Sequence, residues 1–176
     1  HLPLGTMLHG GEYMVGRVLG EGGFGITYIG LHQNLLIPVA IKEYFPNGMV
    51  WRKCEKEKQS YSVVPFTAES EQQFDQGKKD FLREARVMAS LHAVKEIVKV
   101  LNYFEEQGNA YIVMEYLRVT SLRHYLECQE EPLSFEKARD MLLPVMEGLE
   151  KMHGKHILHR DLTPDNLMLR EDGSLC

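Results

Sequence analysis

Six residues, Gly20-Glu21-Gly22-Gly23-Phe24-Gly25, constrain the fold more than any other stretch of this 176-residue chain. The spacing G-x-G-x-x-G removes the side chains that would keep a backbone away from a polyphosphate, so the amide groups can approach one closely. That spacing serves two topologies. Between a strand and a helix it marks a dinucleotide-binding turn, whereas between two strands it makes a hairpin. The flanks decide, because Tyr13 to Leu19 and Gly25 to Leu31 are both rich in β-branched and aromatic residues. A third such stretch, Leu36 to Glu43, follows, with Pro38 near its start, where a missing N–H is tolerated. The glycines therefore turn one strand back on another.

Helical spacing first appears over Asp80 to Leu91, where Phe81, Leu82, Ala85, Met88 and Ala89 fall on one face. Ile97 to Phe104 and Ala110 to Tyr116 then read as strands separated by the polar turn Glu105 to Asn109. Three strands, a helix and two more strands predict an α+β arrangement over residues 1–116, a five-stranded antiparallel sheet carrying one helix. An insertion over residues 44–79 interrupts it. Within the insertion, Met49 to Lys53 and Tyr61 to Phe66 are expected to pair across the charged stretch Cys54 to Ser60. They pack on the sheet, because Trp51, Tyr61, Val63, Val64 and Phe66 need burial.

Residues 117–176 read as helical. Ser121 begins a short amphipathic helix, and Ser134-Phe135-Glu136-Lys137 opens a longer one that reaches about His153, with Gly154 as its stop. Pro144, inside that helix, is expected to kink it. Leu167 to Arg170 enters a turn at Glu171-Asp172-Gly173-Ser174, leaving Leu175 and Cys176 for a returning strand.

The chemistry sits at three places. Lys42, in Ala40-Ile41-Lys42 on the strand beside the glycine turn, can reach the α- and β-phosphates of a nucleotide held there, whereas an isolated strand lysine is usually a solubility charge. Glu84, in the middle of the following helix, is the candidate carboxylate to hold Lys42, although a lone helix glutamate is ordinarily solvated. The most specific segment is His159-Arg160-Asp161-Leu162-Thr163-Pro164-Asp165-Asn166, which matches H-R-D-L-x-x-x-N at every fixed position. In that motif the aspartate accepts or orients the proton of an attacking hydroxyl and the asparagine binds magnesium, which assigns Asp161 and Asn166.

Taken together these motifs resemble a eukaryotic-type serine/threonine protein kinase, and Gly-Gly-Phe-Gly-Ile-Thr-Tyr with Val-Ala-Ile-Lys-Glu-Tyr-Phe-Pro is similar to bacterial members. The resemblance implies ATP and Mg2+ as cofactors and serine or threonine of a protein as acceptor. It implies that Gly20, Glu21, Gly22, Gly23, Phe24 and Gly25 cover the phosphates, and that Leu19, Thr27 and Ala40 roof the adenine over Met168. Met114, Glu115, Tyr116 and Leu117 then form gatekeeper and hinge, Ser121 contacts the ribose, and Met88 and His159 join a hydrophobic column.

Thr27 stands where the family usually has valine, and Thr163 replaces a lysine that helps neutralise the transferring phosphoryl group. The Asp-Phe-Gly motif, which holds magnesium, is expected about a dozen residues after Asn166, just beyond Cys176. Residues 1–176 thus read as a kinase domain truncated before that motif, and as inactive by themselves. Loss of packing around Leu122 and Leu142 to Leu149 is expected to favour self-association.

Two other functions fit parts of the pattern. One is a non-catalytic nucleotide-binding or scaffolding module of the same fold. The other is a small-molecule phosphotransferase, whose members usually carry glycine where Arg160 stands. A net charge of −5 gives no general attraction for nucleic acid, and no apolar run is long enough to span a bilayer. Cys54, Cys128 and Cys176 are an odd number without CxxC spacing, so a reducing cytoplasm is the expected location.

Overall fold

The computed structural model describes residues 1–54, 61–159 and 161–176. They fall into two units, His1–Ala89 with Val100–Tyr116, and Ser90–Lys99 with Leu117–Cys176.

In the first unit the alternating strands pair as one antiparallel sheet. Its members are β1 (Met7–Leu8), β2 (Tyr13–Gly22), β3 (Gly25–His32), β4 (Ile37–Tyr44), β7 (Val100–Glu106) and β8 (Asn109–Glu115), in the order β1-β2-β3-β4-β8-β7. All five expected strands form. The sixth, β1, is two residues at the edge of β2, too short for any alternation to show in the sequence. Alternation along β4 splits the core. Val39 and Ile41 join Tyr28, Tyr111 and Val113 on one face, whereas Tyr44 joins Phe74, Phe81 and Ile112 on the other.

The insertion forms the expected hairpin, β5 (Val50–Arg52) against β6 (Val63–Pro65), with Trp51 opposite Val64. The charged stretch at its tip lies largely outside the described residues. Val50 and Val63 are buried with the helix side of the sheet, but Trp51 and Phe66 stay 44% and 60% exposed. A two-stranded ribbon buries one face only, and Trp51 sits between Val50 and Arg52, which both turn inward.

Helix α1 (Ala68–Ala89) starts at Ala68 rather than Asp80. Its buried stripe of Phe74, Phe81, Leu82 and Ala85 continues across Gly77, a residue that costs about 1 kcal/mol in a helix relative to alanine. Gly77 is there for space: a Cβ would collide with the Tyr44 hydroxyl. The Tyr44 ring is fixed between Phe74 and Phe81, with centroids 5.3 and 5.4 Å away.

The second unit holds β9 (Thr120–Ser121), α2 (Leu122–Glu127), α3 (Phe135–His153) and β10 (Met168–Leu169). Ser121 and Ser134 cap the helices, their hydroxyls accepting from His124 N and Lys137 N at 3.2 Å, contacts worth about 1 kcal/mol each. Helix α3 runs through Pro144 as one element, with Val145 and Met152 buried. Residues 90–99 belong here because Leu91, Val94 and Ile97 pack with Met152 and Ile157. Lys155 Nζ and Arg170 Nη2 also donate to the carbonyls of Ser90 and Lys95, both at 2.9 Å. That packing explains why β7 begins at Val100 and not at Ile97. The terminal hairpin closes as expected, with Met168 and Cys176 exchanging backbone hydrogen bonds of 2.7 and 2.9 Å.

Candidate functional site

The glycine segment ends β2 and begins β3. Gly22 pairs with Gly25 across the two-residue turn Gly23-Phe24. The turn is open, with Phe24 77% exposed and Glu21, Gly22 and Gly23 also exposed. Gly25 is buried, and a Cβ there would lie 2.5 Å from the Glu43 carbonyl oxygen, so only glycine lets β4 approach this closely. The β4 pairing does not stop at Gly25: Phe45 N donates to Phe24 O at 3.1 Å and Asn47 N to Gly23 O at 2.9 Å.

Register brings several predicted residues together. Thr27 lies opposite Lys42, Ala40 opposite Met114, and Gly20 opposite Thr27. Thr27, Ala40, Lys42 and Met114 are all half-buried, and Leu19 is exposed at the end of the same sheet. Glu115 closes β8. Among the described residues no ion pair joins Lys42 to Glu84. The Lys42 ammonium instead lies 5.7 Å from the centroid of Phe81, and Glu84 is exposed on α1. Phe81, one turn before Glu84, occupies the position facing Lys42.

Sequence reasoning missed the residue behind Lys42. Glu43 is fully buried, and its carboxylate accepts four hydrogen bonds. Tyr28 Oη and Arg52 Nη2 donate to Oε2 at 2.9 and 2.6 Å, and Asn109 Nδ2 and Tyr111 Oη donate to Oε1 at 3.0 and 3.3 Å. Burial disfavours a charged Arg52, but the hydrogen bond and charge of Glu43 outweigh it and hold the guanidinium above its ordinary range. Burial, reinforced by the Glu43 charge, raises both phenols well above the usual tyrosine range, so they remain donors. The only sequence signal was an acidic residue on the apolar-facing side of a strand.

In the second unit Asp161 and Asn166 are joined directly. Asn166 Nδ2 donates to Asp161 Oδ2 at 2.8 Å and to the Asp161 carbonyl at 2.9 Å, and among the described residues no donor reaches the Asn166 amide oxygen. The loop between them is clamped to the start of α2. Arg123 Nε contacts both carboxylate oxygens of Asp165 at 2.7 and 2.8 Å, Arg123 N donates to Pro164 O at 3.0 Å, and Leu122 N donates to Leu167 O at 2.7 Å. Ser121 pairs directly with Met168 across β9 and β10. Its hydroxyl accepts from His124 N and keeps its own proton for donation. Leu117, half-buried, begins the longer segment of this unit, and Arg160 lies outside the described residues.

Each unit by itself has groups of the right chemistry for a nucleotide with a divalent ion. In the first unit the glycine turn offers an exposed backbone and Lys42 a half-buried cation, which suit phosphate oxygens. In the second unit Asn166 offers a neutral oxygen of the hard kind that magnesium takes. A protein kinase domain model matches residues 13–175, and the chain belongs to that family. The chain is 30% identical over 169 residues to serine/threonine-protein kinase D of Synechocystis, covering 93% of this chain and 28% of that protein. It is also 30% identical over 164 residues to serine/threonine-protein kinase PknA of Nostoc, covering 90% and 25%. Against the Aurora kinase of Schizosaccharomyces pombe it is 25% identical over 167 residues, covering 95% and 40%. A solved structure titled "PpkA-294 apo form" superimposes with a TM-score of 0.87 at 28% identity, covering 99% of this chain and 59% of that one. The chain thus spans well under half the length of these curated relatives.

Proposed function

We propose that the kinase containing these residues transfers the γ-phosphate of ATP to serine or threonine of a protein substrate. The observation carrying this reading is the Asp161–Asn166 hydrogen bond within a loop clamped to α2. Asn166 occupies Asp161 Oδ2, so Oδ1 can take the proton of an acceptor hydroxyl. Bound ATP with magnesium supplies the phosphoryl group and much of the charge that neutralises it.

The chain's own residues do the positioning. Gly20, Glu21, Gly22, Gly23, Phe24 and Gly25 cover the phosphates, and Leu19, Thr27, Ala40 and Met168 sandwich the adenine. The backbones of Met114, Glu115 and Leu117 bind its edge, and Ser121 donates to the ribose. Lys42 holds the α- and β-phosphates, and Asn166 gives its amide oxygen to magnesium. Glu84 is the partner of Lys42 in the transferring state, which requires the ammonium to leave the Phe81 ring. Residues 1–176 alone supply one neutral magnesium ligand at this loop, so they do not turn over by themselves. Cysteines that stand outside any disulfide support a cytoplasmic location.

The test is phosphate transfer from γ-labelled ATP by the full-length kinase, followed by phosphoamino-acid analysis of the acceptor. Labelled phosphoserine or phosphothreonine that vanishes on chelating magnesium is expected. Nucleotide binding without transfer would favour the scaffolding alternative.

A further inference from the structure

The insertion begins beside the tip of the glycine turn and is tied near its start to a buried ion pair. Phe45 and Asn47, its first residues past β4, donate to the carbonyls of Phe24 and Gly23, the tip of the glycine turn. A few residues on, Arg52 of β5 reaches back into the sheet. Its Nη2 lies 2.6 Å from Glu43 Oε2, its side chain is 6% exposed and that of Glu43 0%. Nη1 donates to the Tyr61 carbonyl on the returning arm at 3.1 Å, and the guanidinium lies 5.0 Å over the Phe45 ring. Tyr28, which donates to the same carboxylate, accepts from Leu2 N at 3.0 Å, so the N-terminal segment is tied to the same point.

A buried carboxylate and guanidinium rarely add net stability over an apolar pair of similar size, because desolvating both charges offsets their attraction. What such a pair fixes is position. Glu43 is also the residue whose carbonyl packs on Gly25 and whose neighbour is Lys42, so any shift of its side chain is passed by the backbone to the phosphate loop and the phosphate-binding lysine.

We propose that Glu43 and Arg52 are positioning residues that latch the insertion hairpin to β4 and, through Phe45 and Asn47, hold the Gly23-Phe24 turn in the shape that receives nucleotide. The insertion thereby sets part of the affinity for ATP. The proposal rests on the reading of residues 20–25 as an ATP phosphate loop, and its test separates the two.

In the full-length kinase, Arg52→Gln removes the charge and Arg52→Lys restores it. Amide exchange is measured in the nucleotide-free protein, and KM for ATP, KM for the protein acceptor and kcat in the loaded one. Arg52→Gln is expected to speed exchange at the Phe45 and Asn47 amides by about tenfold or more while α3 amides keep their rates. It should raise KM for ATP about five- to tenfold with acceptor KM and kcat nearly unchanged, the signature of lost ground-state binding. Arg52→Lys should recover most of both effects. Should Arg52→Gln fail to fold, Glu43→Gln combined with Arg52→Met removes both charges, keeps the volume and leaves an amide oxygen to accept from Asn109 and Tyr111; it is expected to fold and still to show the fast Phe45 and Asn47 amides. Wild-type exchange at those two amides in either folded variant overturns the latch. A wild-type protein that binds no ATP would overturn the phosphate-loop reading instead, and the amide measurement would still decide the latch.

Discussion

Among single residues Glu43 concentrates the most interactions, and its neighbours make its state measurable. Tyr28 and Tyr111 are held above the ordinary tyrosine range by burial first and by the Glu43 charge second. The unfolded phenols titrate near 10, so the stabilisation they contribute is complete below about pH 10 and is lost as pH rises toward the higher folded values. Unfolding free energy should therefore fall with pH in this window. Tyr28→Phe should make the fall shallower by up to about 1.4 kcal/mol per pH unit, one proton fewer in the linkage. Urea melts between pH 9 and 11 check this; equal slopes in the two proteins would disprove it. The match of residues 159–166 to H-R-D-L-x-x-x-N, by comparison, could be read position by position, because that pattern has no common structural alternative. The Glu43 network was not, since its four donors come from positions up to 68 residues away, a distance at which sequence pattern carries no pairing information.

At the scale of elements, period decided what could be read. Strands β2, β3, β4, β7 and β8 alternate or run apolar and were recognisable, and Ser134 announced α3 through its cap. Helix α1 was read twelve residues short because Gly77 and the polar run Gln76 to Asp80 masked the stripe that Phe74 shares with Phe81. The glycine reflects tertiary contact with Tyr44, which no local rule contains. Gly77→Ala should accordingly destabilise the protein by up to about 2 kcal/mol net, because overpacking against Tyr44 exceeds the roughly 1 kcal/mol of helix propensity that alanine gains. Chemical denaturation decides the sign, and a more stable variant would refute the packing explanation.

For the whole molecule the relevant surface is α3. Phe135, Leu143 and Met146 are 76%, 48% and 62% exposed on one helix, more apolar surface than scattered single residues explain. The 176-residue chain alone should self-associate, and Leu143→Glu with Met146→Glu should shift it toward monomer in light scattering. A monomeric wild type at high concentration would contradict this.

In the proposed ATP-dependent transfer, Asp161 is the group at which the acceptor hydroxyl loses its proton. Asp161→Asn keeps the side-chain volume and a hydrogen-bond acceptor for Asn166, so folding and nucleotide affinity should survive. The rate of phosphate transfer by the full-length variant, measured at saturating ATP and magnesium, tests the claim directly. A loss of about a hundredfold or more with ATP affinity unchanged is the predicted result. Near-wild-type transfer by a purified, folded Asp161→Asn protein would contradict it.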